Sequence, residues 1–153
     1  MKFLKEETAL DKIEQVSIFA KNEPGKIERI TKVLSNHRIN IRAITIASAD
    51  GYGIIKLLVN DPQKAYHILE KEGFSVALNQ VLAIEMEDKP GGFYRVAKVL
   101  REQKVNVEDA YGFVIESGKK AVLIMRIKEI KKTETLLRKE NIPLLSRKDL
   151  YKL

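Results

Sequence analysis

The chain is 153 residues long, with a formal net charge of +7, 44% hydrophobic and 32% charged residues, and no cysteine. Disulfides, thiolate metal centres and thiol nucleophiles are thereby excluded, and apolar runs such as Ala121–Met125 are too short to cross a bilayer. The opening stretch, Met1–Leu10, mixes charged and apolar residues without the apolar core of a secretion signal, so the expectation is a cytoplasmic protein that engages no membrane.

Residues 1–14 carry no clear pattern and are expected to be an N-terminal extension. Gln15–Ala20 (QVSIFA) is rich in β-branched residues and predicts a strand. Asn22-Glu23-Pro24-Gly25 then reads as a turn. After it, Ile27, Ile30, Val33 and Leu34 recur at the spacing of one helix face. Asn40-Ile41 opens a second strand, and a turn at ADGYG leads to a third, IIKLLV. Asp61-Pro62 predicts an N-cap followed by proline at an early helical position, and Gly73 predicts the stop of that second helix. A short strand, SVAL, closes the unit.

The pattern then begins again. QVLAIEM (Gln80–Met86) predicts a strand, Asp88-Lys89-Pro90-Gly91-Gly92 a turn, and Phe93, Val96, Val99 and Leu100 a helix face. Asn106-Val107 opens the next strand, AVLIMRI is the third, and KENI ends the second helix with Asn141 in place of glycine. IPLL closes the unit. Pro24, Gly25, Arg29, Lys32, Val33, Leu34 and Asn40 recur as Pro90, Gly91, Arg95, Lys98, Val99, Leu100 and Asn106. A period of this length is a whole small domain.

The fold class expected is therefore α+β: two ferredoxin-like βαββαβ repeats, each an antiparallel four-stranded sheet with two helices on one face. The domains expected are 15–79 and 80–146, with 147–153 as a C-terminal tail. The second strand of each repeat carries apolar residues in both phases, which calls for cover on the helix-free face from the other repeat or a second chain.

Element order, the paired Asn/Asp-x-Pro-Gly turns and the Asn-Ile or Asn-Val after each first helix together resemble a tandem ACT-domain protein of the stand-alone class. The quoted stretches are NEPGKIERITKVLSNHRINI and DKPGGFYRVAKVLREQKVNV, and the resemblance spans about residues 15–146. It implies a non-catalytic, allosteric regulatory protein that binds a free amino acid at the junction of paired domains. It also implies a homodimer, with a metabolic enzyme regulated in trans as a further partner. No cofactor and no metal is expected.

The residues suit such a role. An open helix start offers backbone N–H groups and partial positive charge to a carboxylate, and Gly25, Gly91 and Gly92 carry no Cβ to hold a ligand off. The candidate binding residues are Asn22, Glu23, Pro24, Gly25, Lys26, Ile27, Asn40 and Ile41 in the first repeat. Asp88, Lys89, Pro90, Gly91, Gly92, Phe93, Asn106 and Val107 are their counterparts in the second. Asn22 and Asp88 read either as N-caps or as partners of a ligand ammonium. Asn40 and Asn106 read either as left-handed residues after a helix or as ligand amides. Ile27 and Phe93 suggest an aliphatic cleft, which favours branched-chain or aromatic amino acids.

Three other functions compete. Catalysis has no support, because His37 and His67 fall on different helices and no nucleophile–base set is visible. RNA binding shares the element order, and residues 80–153 hold 16 Lys and Arg against 11 acids. Yet bases and acids interleave, and IIKLLV and AVLIMRI have no aromatic to stack on a base. A dimerisation or interaction module without a ligand predicts the same fold and stays open.

Overall fold

The computed structural model of the chain describes residues 12–152. Most of the expected N-terminal extension, residues 1–11, lies outside them. The chain divides into two compact units, Glu14–Asn79 and Gln80 onward, the second taking in Ile13.

In the first unit the elements are β1 (Ile13–Lys21), α1 (Lys26–Asn36), β2 (Ile41–Ala49), β3 (Tyr52–Val59), α2 (Pro62–Lys71) and the start of β4 (Ser75–Glu87). The strands lie in the order β2-β3-β1-β4. β3 runs antiparallel to both neighbours, with Val16 opposite Leu57 and Ile18 opposite Ile55. Because side chains alternate along a strand, this register turns Val16, Ile18, Ile55 and Leu57 to one face. There they meet Ile30 and Leu34 from α1 and Ala65 and Leu69 from α2 in a buried cluster. Each large member contributes on the order of 1.5–3 kcal/mol through burial.

The second unit continues β4 and adds α3 (Gly92–Glu102), β5 (Asp109–Glu116), β6 (Lys120–Arg126), α4 (Ile130–Lys139), β7 (Leu144–Leu145) and α5 (Arg147–Tyr151). Its strands lie in the order β5-β6-β4, with β7 paired to β4. Leu82, Ile84, Val96, Leu100, Leu123, Met125, Leu137 and Ile142 form its core. Both units are thus ferredoxin-like, as the doubled pattern predicts.

Local signals act as expected at several ends. Asp61 Oδ1 accepts from Lys64 N at 3.1 Å with Pro62 in the first turn of α2, and Gly73 (φ 86°) and Asn141 (φ 57°) make the left-handed stops. Three expectations need correction. SVAL and QVLAIEM are not two strands but one, β4, because no turn residue separates them. The residues expected as a tail contain α5, started by a capping box in which Ser146 Oγ accepts from Asp149 N and Asp149 Oδ2 accepts from Ser146 N, both at 3.1 Å. The Ser146 hydroxyl, donating to Asp149 Oδ2 at 2.8 Å, and then the Ser146 N–H hold the Asp149 carboxyl below its usual range. The left-handed residues after α1 and α3 are Arg38 (φ 58°) and Lys104 (φ 55°), not Asn40 and Asn106. Each helix closes on the following residue, Ile39 N to Leu34 O at 2.9 Å and Val105 N to Leu100 O at 2.8 Å.

The helix-free faces differ. In the first unit Phe19, Tyr52 and Ile54 are exposed there, with Ile54 paired in register to both Phe19 and Ala47. In the second, Ala83, Val122 and Ile124 are buried in the same phase, beside half-buried Tyr111 and Phe113. The Tyr111 hydroxyl is buried and has no hydrogen-bond partner among the described residues. Burial above all, then the Asp109 carboxylate, pushes its pKa up.

Candidate functional site

Each Pro-Gly turn places its glycine, not the Asn or Asp, at the N-cap. Gly25 (φ 84°, ψ −9°) and Gly91 (φ 91°, ψ −11°) are left-handed, and no side chain caps either helix. A Cβ at either position meets no atom within 4 Å, so the backbone angle itself demands glycine. The turns close through Lys26 N to Glu23 O at 3.2 Å and Gly92 N to Lys89 O at 3.0 Å. The amides that follow keep the partial positive charge of a helix start.

Asn22 and Asp88 tie these turns to the hairpin opposite. Asn22 N donates to Gly51 O at 2.9 Å and its Nδ2 to Ser48 Oγ at 3.2 Å. Asp88 Oδ2 accepts from Gly118 N at 2.7 Å, and Asp88 N donates to Lys119 O at 3.2 Å. Neither residue is an N-cap, because the cap position belongs to the glycine.

Beside the second turn lies a cleft of about 270 Å³. Lys89, Pro90, Gly91 and Gly92 form one wall, and Glu85, Met86 and Glu87 of β4 another. Arg95 and Val96 of α3 and Ile142-Pro143 complete it. The turn packs closely on β4: a Cβ on Gly92 would stand 2.1 Å from Glu87 O. Glu87 pairs with Lys89, and that contact holds the Glu87 carboxyl below its ordinary range, with a smaller contribution from the Arg95 charge. Glu85 pairs with Lys120 at 3.4 Å. The cleft thus combines backbone of a helix start, cationic and anionic side chains, and apolar groups.

The first turn is built differently. On its side toward Ile46, Gly53 and Ile55, under Lys26 and Ile27, a recess measures about 10 Å³, space for one water at most. Lys26 stands where the second repeat has Gly92. The flank matching the second repeat's cleft is taken by Arg29, whose guanidinium lies 4.6 Å from the Phe74 ring centre and donates through Nη2 to Glu72 O at 2.9 Å.

Not all the candidate residues come together. Asn40, Ile41, Asn106 and Val107 lie beyond the C-terminal ends of α1 and α3. Those helices have eleven residues each, so their two ends are about 16 Å apart. Asn40 exchanges hydrogen bonds with Asn60, its N donating to Asn60 Oδ1 at 2.9 Å and its O accepting from Asn60 N at 3.2 Å. Asn106 borders a shallow charged recess with Lys104, Glu108, Lys128 and Glu129. Phe93, expected in the cleft lining, is 53% exposed and outside it. Sequence reasoning missed Met86, Arg95, Val96, Ile142 and Pro143 as a set. The recurrence of Arg29 as Arg95 was the one signal that pointed there.

Among the described residues no helix is long and apolar enough to cross a membrane. Among the same residues no group of three or more His, Asp or Glu is placed to hold a metal ion.

Comparison with known proteins agrees with the fold. The family model described as an ACT domain pair matches residues 11–153. The crystal structure of protein BT0572 from Bacteroides thetaiotaomicron is 32% identical, with a TM-score of 0.85 over 93% of this chain and 97% of that one. The regulatory subunit of aspartate kinase from Thermus thermophilus, in its ligand-free form, shares the fold at 15% identity, TM-score 0.64, over 83% of this chain and 89% of that one. The Thermus flavus regulatory subunit is similar at 15% identity, TM-score 0.60, covering 84% and 90%. A search of curated proteins found no match.

Proposed function

The chain belongs to the ACT domain pair family, and on that premise we propose that it is a non-catalytic regulatory protein whose second repeat binds a free amino acid. The observation that carries this reading is the cleft of about 270 Å³ against the Gly91-Gly92 turn, where charged groups converge over Met86, Val96, Ile142 and Pro143. Its size suits one small metabolite. A ligand carboxylate placed at the open start of α3 meets backbone N–H groups and positive potential. An aliphatic side chain covers the apolar floor, so branched-chain amino acids are the favoured class. Occupancy joins α3, β4 and the segment after α4. A ligand that binds one arrangement of these better than another shifts the population toward it, and an enzyme in trans senses that shift.

The test is thermal unfolding of the chain with single free L-amino acids. A ligand that binds only the folded state at a hundredfold excess over its Kd stabilises by about 2.7 kcal/mol, which raises the midpoint by several degrees. If none of the branched-chain or aromatic amino acids moves the midpoint, the proposal fails.

A second reading, an interaction module, draws support from the first unit. Phe19, Tyr52 and Ile54 expose 46%, 66% and 38% of their surface on its helix-free face. Contiguous exposed apolar residues mark protein contact surfaces, and a second copy of the chain is the partner expected there. Sedimentation of wild type and Phe19→Lys separates the readings: a monomeric wild type excludes this one and leaves ligand binding untouched.

A further inference from the structure

Arg29 and Arg95 occupy one position in two copies of the same frame. Each donates its backbone N–H to the N-cap glycine carbonyl four residues back, Arg29 to Gly25 O at 3.0 Å and Arg95 to Gly91 O at 3.1 Å. The residue facing each is also framed alike. Phe74 N donates to Leu69 O at 3.0 Å and Ile142 N to Leu137 O at 2.9 Å, each following a left-handed residue. What differs is the side chain. The Phe74 ring attracts the Arg29 guanidinium through its negative face, and the neighbouring Glu72 carbonyl takes one of its N–H groups. Ile142 has no such face, and Arg95 makes no hydrogen bond or ion pair with any described residue. The nearby Glu87 is already paired with Lys89. The cleft lies on the side where the arginine has no stacking or hydrogen-bond partner among the described residues and feels only the charge of Glu87.

We propose that Arg95 receives the carboxylate of the bound ligand, and that the Phe74/Ile142 difference makes the second repeat the one open site by withdrawing Arg29 in the first. This rests on the amino-acid reading above for the ligand, but not for the contrast between the arginines. A guanidinium grips a carboxylate through two parallel N–H···O bonds, and Met86, Val96 and Ile142 beneath it favour an aliphatic body. The ligand class is therefore an aliphatic α-amino acid with a single carboxylate.

Two measurements on the full chain test this. The first needs no ligand: phenylglyoxal, which modifies arginines, is followed by peptide mass spectrometry. Arg95 reacts about tenfold faster than Arg29, since a stacked and hydrogen-bonded guanidinium is withheld. Phe74→Ile brings Arg29 up to the rate of Arg95, and Ile142→Phe slows Arg95. Equal rates in wild type overturn the proposal. The second is calorimetric titration with L-leucine, with 4-methylpentanoate as a carboxylate lacking the amine and isopentylamine as an amine lacking the carboxylate. Wild type binds one leucine per chain and no isopentylamine. Arg95→Ala weakens leucine binding at least about tenfold, the loss of one charge-assisted pair, and Arg95→Lys restores only part of it. Phe74→Ile, chosen to keep an aliphatic core residue, raises the stoichiometry to two. Unchanged affinity in Arg95→Ala, or two leucines per wild-type chain, overturns the assignment. Unequal arginine reactivity without leucine or 4-methylpentanoate binding sinks the amino-acid reading while the contrast between the repeats stands.

Discussion

The two repeats share a backbone plan and differ where a ligand would sit. In the first, the flank beside α1 is occupied by Arg29, which is spent on Phe74 and Glu72. In the second, Gly92 lets the turn close on β4, Ile142 offers Arg95 no ring to stack on, and a cleft of about 270 Å³ remains. Duplication copied the scaffold, the left-handed glycine and the arginine. One substitution, Ile142 for Phe74, removes the ring that holds the arginine in the first copy, and another, Gly92 for Lys26, changes how the turn meets its strand.

The comparison can be broken at these positions. The largest effect is expected from Gly92→Ala, because its Cβ meets the Glu87 carbonyl, a backbone atom held in β4, at 2.1 Å. Relief requires the turn to move, at a cost of about 3 kcal/mol. The reverse change, Lys26→Gly, adds only the backbone entropy of glycine, about 1 kcal/mol. Urea unfolding of both variants measures the difference; equal midpoints would show that the turns are interchangeable.

Next is the arginine pair. Arg29→Ala is expected to lower stability by about 1 kcal/mol through loss of the ring contact and the hydrogen bond to Glu72 O. Arg95→Ala should leave the urea midpoint unchanged in the absence of ligand. A comparable effect goes the other way in Tyr111→Phe, which removes a buried, unpartnered hydroxyl and is expected to stabilise by about 1 kcal/mol. The folded-state pKa of Tyr111 is raised. Its contribution is therefore complete below the free tyrosine value of about 10 and declines as pH rises above it. Urea midpoints of wild type should fall in strong alkali, and those of Tyr111→Phe should fall less.

The smallest effect lies in α5, which has no counterpart in the first unit. Asp149 has a lowered pKa, so its contribution is complete above the ordinary carboxylate value of about 4 and is lost as pH falls through the lowered one. An NMR titration of the Asp149 amide should give a midpoint below that of Ser146→Ala.

Much of this architecture was readable in advance because the relevant signals are local. Pro24-Gly25, Asp61-Pro62, Gly73 and Asn141 mark ends that the backbone must make somewhere, and the alternation of Val16 and Ile18 marks a face. Less of the site was readable. Phe93 was expected inside because it falls in helical phase with Val96, but in the first turn of α3 it is Gly92 that meets β4, and Phe93 is left exposed. Ile142 and Pro143 join Arg95 only through tertiary packing, after a whole ββα passage, and no spacing rule reports that. Asn22 and Asp88 keep the residue types of a cap while serving the hairpin across from them, a choice set by glycine at the next available left-handed position. Merging of two strands into β4 needed the absence of a breaker to be weighed above the expectation of a linker.

That shared strand has a practical consequence. The boundary between the copies, Asn79-Gln80, falls within β4, where the residues on either side are half-buried. A protease searching for a floppy joint finds none there, and a gene fragment cut at that point would end or start in mid-strand with its backbone donors and acceptors bare. Expression of either half alone therefore calls for a tail that carries the whole of Ser75–Glu87.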